Sequence, residues 1–472
     1  MDAATKPTHI IILGGGGDLA RRKLFPALFE LFIQRKLSPT FEITGFARTE
    51  RSNTAYQELV ALALKNANES FKENDIVEFC THLTYMSGSF IEIQGYQNIE
   101  NAIDQFEDKI GLCADKLFYL AVPPEHYKEI FTMLHKSKIA MPCDKHHTWT
   151  RILVEKPFGS DYITAQMLDR HLSTLFAEEQ LFRIDHYLAK EAVQNILSFR
   201  FANTFFQSPW NKNNIQEVRI NLHEKIDVGS RGAFYDSVGA LRDVGQNHLL
   251  QILALIAMDE PETLSADFIR TKRALLLQKL IPMSTQSAHK NVIRAQYEGY
   301  AETVGVEAHS QTETYFEFKA YIDSDVWSGV PFFVSAGKAL NEDKVSVEII
   351  FHDVATGPFE TKECATVGNR IVLTISPEHK MEITINTKKP GHGYSIESKT
   401  LSYTWNDTID SQTNAYSKIL LDCIRGDQTL FTKTEEVLAS WKFITSIMDS
   451  YQSVPLQTYK KGSRGPMNSL IS

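Results

Sequence analysis

Cysteine is scarce in this chain, with five residues (Cys80, Cys113, Cys143, Cys364 and Cys423) among 472. An odd number at these spacings matches neither a disulfide-built secreted scaffold nor a zinc module. All five are therefore expected to be reduced thiols, and no metal site is expected. Long apolar runs are missing too. Ile10–Leu13 is far too short to cross a bilayer, and Met1–Pro7 has no basic head followed by an apolar core. Neither a membrane association nor a secretory signal is expected. Positive charge is in deficit, with 49 Lys and Arg against 58 Asp and Glu and a net charge of −9. That argues against a nucleic-acid surface while leaving room for a local basic pocket. No internal repeat or low-complexity tract is visible. The remainder is ordinary for a globular protein, 43% hydrophobic and 23% charged, and such a protein with reduced thiols belongs in the cytoplasm. The length exceeds one comfortable core, so two domains are expected.

The first chemistry-bearing segment follows Ile10–Leu13, which reads as a buried parallel strand. Gly14-Gly-Gly-Gly-Asp-Leu-Ala20 comes next, then apolar residues at Leu24, Ala27, Leu28 and Leu31 with helical spacing. Strand, glycine turn and helix N-terminus form a pyrophosphate site, because glycines admit the phosphates to the backbone and free N–H groups bind their charge. A flexible glycine loop is the plain alternative. The spacing fits Gly14-x-x-Gly17-x-x-Ala20, with Ala20 as the small residue for close packing, and Pro26 should cost the helix a hydrogen bond. The next strand, Phe41–Arg48, should end near the adenosine ribose. Arg48, with Thr49 beside it and Arg51 nearby, suits a 2′-phosphate and hence NADP, with NAD use left open. A solvated surface arginine is the rival, and Glu50 blurs the distinction. Leu117–Val122 and Ile152–Val154 read as further strands of the same sheet, the latter running into Glu155-Lys-Pro-Phe-Gly159. Lys156 could there reach both substrate and nicotinamide, or the tripeptide could simply end a strand. The long polar region between the first two strands and these two is expected to be helical at Thr54–Leu64. Lys138–Thr150 reads as a loop, and its His146 and His147 as surface residues without a role.

Arg183-Ile-Asp-His-Tyr-Leu-Ala-Lys-Glu191 packs an acid, an imidazole, a phenol and an ammonium into nine positions. Asp185 could orient a base, while His186, Tyr187 and Lys190 could hold a phosphate. His248, in Arg242-Asp-Val-Gly-Gln-Asn-His248, could be that base. Oxidising a sugar hemiacetal requires one, and a carboxylate that sets the imidazole tautomer suits the task. Lys338, in Ser335-Ala-Gly-Lys-Ala-Leu340, could add a second ammonium. Glu224 and Asp243 are candidates for accepting sugar hydroxyl protons. Each has a plain alternative: His248 at a helix start, His186 and Lys190 on a solvated helix face, Glu224 as a strand-edge charge.

These segments together resemble the glucose-6-phosphate dehydrogenases. The resemblance runs through Gly14–Pro26, Gly45–Arg48, Tyr119–Pro124, Glu155–Gly159, Arg183–Asn195, Leu197–Asn203, Arg231-Gly232, Arg242–Leu250 and Gly337–Glu342. Ala415-Tyr416, Trp441 and Gly462–Pro466 carry it almost to the end. It implies an α/β Rossmann-like coenzyme domain (1–184). A larger α+β domain (185–472), built on a mostly antiparallel sheet and used for dimerisation, would follow; Val218–Leu222, Val345–Phe351 and Ile371–Ile375 alternate as its strands should. It also implies NADP-dependent oxidation of glucose 6-phosphate by a homodimer or homotetramer. His248 would be the general base and Asp185 its partner. Lys156, His186, Tyr187, Lys190, Glu224, Asp243 and Lys338 would bind the sugar phosphate. Gly14, Gly17, Asp18, Leu19 and Arg48, with Lys156, would bind coenzyme. Departures from the family pattern are Ala189 for a usual glycine, Gly15 and Gly16 for alanine and serine, and Ile226–Ser230 before Arg231. Ser376 stands near a position where some members have glutamine. Glu348 and Leu373 stand where mammalian members present arginines to a second, structural NADP, so that site is expected to be absent. The rivals are a two-domain oxidoreductase of another sugar and a non-catalytic NADP sensor.

Overall fold

A computed structural model describes residues 6–143, 146–353, 368–392, 395–405 and 415–470. Cys364 falls outside them. Six parallel strands form the first sheet: β1 (Thr8–Leu13), β2 (Phe41–Ala47), β3 (Leu83–Ser87), β4 (Asp115–Leu120), β5 (Thr150–Val154) and β6 (Leu181–Ile184). Every residue of β1 and β4 is buried, as expected of central strands covered by helices on both faces. The second sheet uses β7 (Ile215–His223), β8 (Val292–Tyr297), β9 (Tyr315–Ala320), β10 (Phe332–Gly337), β11 (Lys344–Phe351), β12 (Arg370–Ser376), β13 (Lys380–Lys388) and β14 (Ile396–Thr404). The short β15 (Phe431–Thr432) leaves that half of the chain to pair antiparallel with β6, and β16 (Leu456–Tyr459) returns to the second sheet.

The orders are β15-β6-β5-β4-β1-β2-β3 and β14-β13-β12-β11-β7-β10-β9-β8-β16. The second sheet is antiparallel except where β7 meets β10 and β8 meets β16. Its three anticipated strands lie within β7, β11 and β12. In the first sheet, the chain moves outward from β1 through β2 to β3, then returns to the other side of β1 as β4. That reversal opens a crevice beyond the carboxyl ends of β1 and β4, where open α/β sheets bind ligands.

Several local expectations are corrected. Pro26 lies just after a wider, π-helical turn over Ala20–Leu24 and is buried in the helix Phe25–Ile33 that continues it. The polar region holds more than the helix at Asn53–Ala67, which Ser52 caps. It also contains a helix at Glu73–Cys80, strand β3, and the helix Ile93–Ile110, which buries Tyr96, Ile99, Ile103 and Phe106 at 3–4 residue spacing. Cys113 and Cys143 are not free thiols but paired, with Cα atoms 6.4 Å apart, within the reach of a disulfide. The amino ends of β4 and β5 bring them together across a separation of 30 residues. Cys80 and Cys423 are free and buried. His146 is not idle, since its Nδ1 accepts the Cys113 N–H at 2.9 Å. Although Cys113, Cys143 and His146 cluster, paired sulfurs offer no thiolate to a metal. Finally, residues 186–189 are a turn between β6 and the helix Glu191–Phe201, and not a helix face. Among the described residues, no helix is long and apolar enough to cross a membrane.

Candidate active site

The glycine turn is shaped by close approach. Gly14 has φ +91°, and a Cβ there would lie 2.3 Å from the Ala121 carbonyl oxygen. Gly14 N–H donates to Phe46 O at 2.7 Å and Gly17 N–H to Gly14 O at 2.8 Å. Gly45 lies against Tyr56, whose hydroxyl donates to Gly15 O at 3.3 Å. A Cβ on Gly15 would lie 2.7 Å from Gly45 Cα, whereas one on Gly16 would meet only Tyr85 Oη at 3.9 Å. Backbone is thus bared along a cleft of ≈ 300 Å³ lined by Gly14, Gly16, Gly17, Arg48, Thr49, Arg51, Tyr85 and Val122, among others. Asp18 and Leu19 are not part of that lining. Asp18 is exposed, reaches Arg22 at 3.4 Å, and borders a separate groove toward the helix Asn53–Ala67. Leu19 packs against the core.

Beyond the carboxyl end of β5 the reacting groups converge. β6 delivers Asp185, and a continuous helical stretch (Leu241–Leu249 in π-form, then Leu250–Ala257) delivers His248. Wide turns of this kind concentrate at functional sites. His248 Nδ1 lies 2.5 Å from Asp185 Oδ1, and both side chains are buried. Asp185 also accepts the Tyr187 N–H at 3.0 Å. The geometry makes Nδ1–H the donor and turns Nε2 outward as the free base. Lys156 Nζ stands 3.0 Å from that Nε2 and donates to Asp243 O at 2.8 Å, with Asp243 Oδ1 at 3.5 Å.

Burial pushes the His248 pKa below its ordinary 6.5; Asp185 opposes the shift and Lys156 adds to it. Burial alone would raise the Asp185 pKa, but His248 and Lys156 hold it below the usual carboxylate range. The pair therefore rests as carboxylate and neutral imidazole at neutral pH, ready to accept one proton.

The anion-binding candidates border this pair. Tyr187 stacks on His248 with centroids 4.2 Å apart, and Lys190 Nζ lies 4.3 Å over the Tyr187 ring. Burial, followed by the charges of Glu224, Asp185 and Asp243, raises the Tyr187 pKa and keeps its hydroxyl a donor. Glu224 and Lys338 meet because β7 and β10 are parallel and in register at His223 and Gly337, so the next residue of each lies side by side. Lys338 Nζ donates to Glu224 Oε2 at 2.6 Å. Ala339 follows at φ +54°, a strained backbone for a residue with a Cβ. His186 turns the other way, its Nε2 3.2 Å from Glu155 Oε2, with Tyr416 packed 4.3 Å from its ring. Ala189 is buried in the core, and its φ is not positive, so its methyl fills space without forcing the turn.

Two carboxylates, one buried and one partly buried, were not singled out as functional from the sequence. Glu313 holds the start of the His248 helix, accepting Leu241 N–H at 2.9 Å on its side chain and Ala240 N–H at 3.1 Å on its carbonyl. It also faces Gly239, whose φ of +76° leaves no room for a Cβ. Glu155 is the second. The motif Glu155-Lys-Pro was visible, but the side chain's direction was not.

The sheet order and glycine cleft define a two-domain protein of the NAD-binding α/β class. Two family models match it: residues 11–195 fit the glucose-6-phosphate dehydrogenase NAD binding domain, and residues 197–470 fit that family's C-terminal domain. The chain belongs to the glucose-6-phosphate dehydrogenase family. It is 36% identical to a glucose-6-phosphate 1-dehydrogenase of Chlamydia muridarum, over 96% of this chain and 92% of the relative. It is also 36% identical to a cytoplasmic isoform from Solanum tuberosum, over 97% and 89% respectively. A solved glucose-6-phosphate dehydrogenase in complex with its substrate glucose 6-phosphate superposes with a TM-score of 0.89. That structure is 33% identical, with 99% of this chain and 97% of the other covered.

Proposed function

We propose that this protein oxidises glucose 6-phosphate at C1 to 6-phospho-D-glucono-1,5-lactone with NADP, the first step of the oxidative pentose phosphate pathway. Family membership supports the reaction, and the buried Asp185–His248 pair with Lys156 at its open nitrogen carries the mechanism. Residues 1–184 serve the coenzyme, while 185–472 serve substrate and self-association. When bound, the coenzyme accepts the hydride from C1. His248 Nε2 takes the proton of the C1 hydroxyl, and Asp185 stabilises the imidazolium that results. Lys156 and Asp243 orient the hydroxyls around C1. Tyr187, Lys190 and His186 hold the phosphate, and Glu224 with Lys338 closes the opposite wall.

Gly14 and Gly17 would present backbone to the pyrophosphate. Asp18 and Leu19 would support that turn from outside the cleft. At the end of β2 the cleft is lined by Ala47, Arg48, Thr49 and Arg51, with Glu50 outside the lining. Arginines suit a 2′-phosphate, which favours NADP over NAD. Self-association as a dimer or tetramer would use the large sheet, where β14 leaves Leu401 and Tyr403 exposed. The cytoplasmic relative supports a cytoplasmic location.

The test follows coenzyme reduction by purified protein, comparing glucose 6-phosphate with free glucose and NADP with NAD. Rapid reduction confined to the phosphorylated sugar is expected. No reduction under any condition would leave only a coenzyme-binding role.

A further inference from the structure

Glu155 follows β5 with its carboxylate largely removed from water, at 12% side-chain exposure. A buried carboxylate is costly unless partners surround it, and here they do. Tyr119 Oη donates to Oε1 at 2.6 Å, and His186 Nε2 faces Oε2 at 3.2 Å. Tyr127 Oη donates to the Glu155 carbonyl at 2.8 Å, fixing the strand end. Burial alone would raise the Glu155 pKa, but His186, Tyr119 and Lys156 hold it below the usual range. A carboxylate at Nε2 requires that nitrogen to carry its hydrogen.

The opposite ring nitrogen, Nδ1, is buried without a partner among the described residues. Tyr416 packs on the ring and hinders its turning. The remaining groups around His186 are Tyr119 on β4, Glu155 and Lys156 after β5, and Asp185, Tyr187 and Lys190 along its own turn. A phosphate at Nδ1 receives a hydrogen bond only if the ring carries hydrogen on both nitrogens. Glu155 accepts the hydrogen at Nε2 and leaves the one at Nδ1 for the phosphate.

We propose that Glu155 is a positioning residue for phosphate capture: with Tyr119 it fixes the orientation of His186, so that the Nδ1 side of the ring faces the phosphate of the substrate. This rests on the reading of His186 as a phosphate ligand. Lys190 attracts the phosphate as a point charge, whereas an aligned ring N–H adds direction.

Glu155→Gln keeps the shape and removes the charge. It is expected to raise KM for glucose 6-phosphate, and the inhibition constant of inorganic phosphate, together by about tenfold. kcat should fall far less, and KM for the coenzyme should stay within about twofold. Combining it with His186→Gln should add almost nothing to the loss caused by His186→Gln alone. If His186→Gln weakens phosphate binding while Glu155→Gln does not, the role of Glu155 is refuted and the phosphate site stands. If neither variant changes phosphate binding, the reading of His186 falls as well. An equal loss of coenzyme and phosphate binding in Glu155→Gln would mark a merely structural residue and overturn the proposal. Should that variant not fold, Tyr119→Phe decides: it must weaken inorganic phosphate by about two- to threefold with coenzyme unaffected, and no change would refute the relay.

Discussion

The coenzyme cleft and the reacting centre are made of different material. The cleft is main chain: Gly14, Gly15 and Gly45 bring backbone against backbone and against Tyr56, and the missing side chains of Gly14, Gly16 and Gly17 leave backbone open to the crevice. The reacting centre is side chain: Asp185, His248 and Lys156 come from three distant segments and meet in a buried chain of contacts. A site of main chain depends on what is missing at a few Cβ positions. A site of side chains depends on each partner having its own support, as Asp185 has from Tyr187 N–H and the His248 helix has from Glu313.

That contrast is tested most severely at His248. Replacing it with Ala should lower kcat by about 10²–10⁴-fold while KM for glucose 6-phosphate changes far less, measured by steady-state kinetics. In the unaltered protein the base works as neutral imidazole, and its pKa lies below the ordinary 6.5. kcat/KM should therefore remain level as pH falls to about 6.5 and decline only below it. The variant's residual rate should lack that acid limb. A decline already complete above pH 7 would contradict the direction of the shift.

The cleft should respond to an added methyl according to position. Gly14→Ala has both the wrong φ and a carbonyl in the way, so coenzyme KM should rise about tenfold or more. Gly16→Ala meets only Tyr85 Oη at ordinary contact distance and should change it by less than about twofold. Equal effects would mean that the turn is not held by close approach. A smaller effect than that of Gly14→Ala is expected at Arg48, which is exposed. Arg48→Ala should weaken NADP by about three- to tenfold and leave NAD unchanged, compared by KM for each coenzyme. Parallel losses would remove Arg48 from 2′-phosphate recognition.

The same contrast explains what the sequence disclosed. Local patterns announced the main-chain site, because strand, glycines and helix are contiguous from Ile10 to Leu31 and a Cβ at Gly14 or Gly15 would collide with neighbouring backbone. The reacting residues stood out through their motifs, yet their support did not. Glu313 lies 72 residues from the Leu241 N–H it receives, and Glu155 lies 31 residues from His186. No periodicity links such pairs. Ile93–Ile110 escaped notice because polar residues outnumber its single buried stripe. The Cys113–Cys143 pair was hidden because parallel strands align their amino ends irrespective of the intervening loop. Asp18 and Leu19 follow the glycines in sequence and lie outside the cleft lining, where Asp18 reaches Arg22 and Leu19 packs against the core.

The two residues of β15 also set a timetable for synthesis. Thr432 bonds to the Arg183 carbonyl from 249 positions later in the chain, and Phe431 pairs with Ile184. At roughly 5–20 residues per second, a ribosome needs about 10–50 s to supply that last strand after β6 emerges. Until then the nascent coenzyme half carries an unpaired apolar edge, the kind of edge that invites pairing with another chain. The final fold closes that edge with two residues. During translation, the same task falls to whatever shields the growing chain.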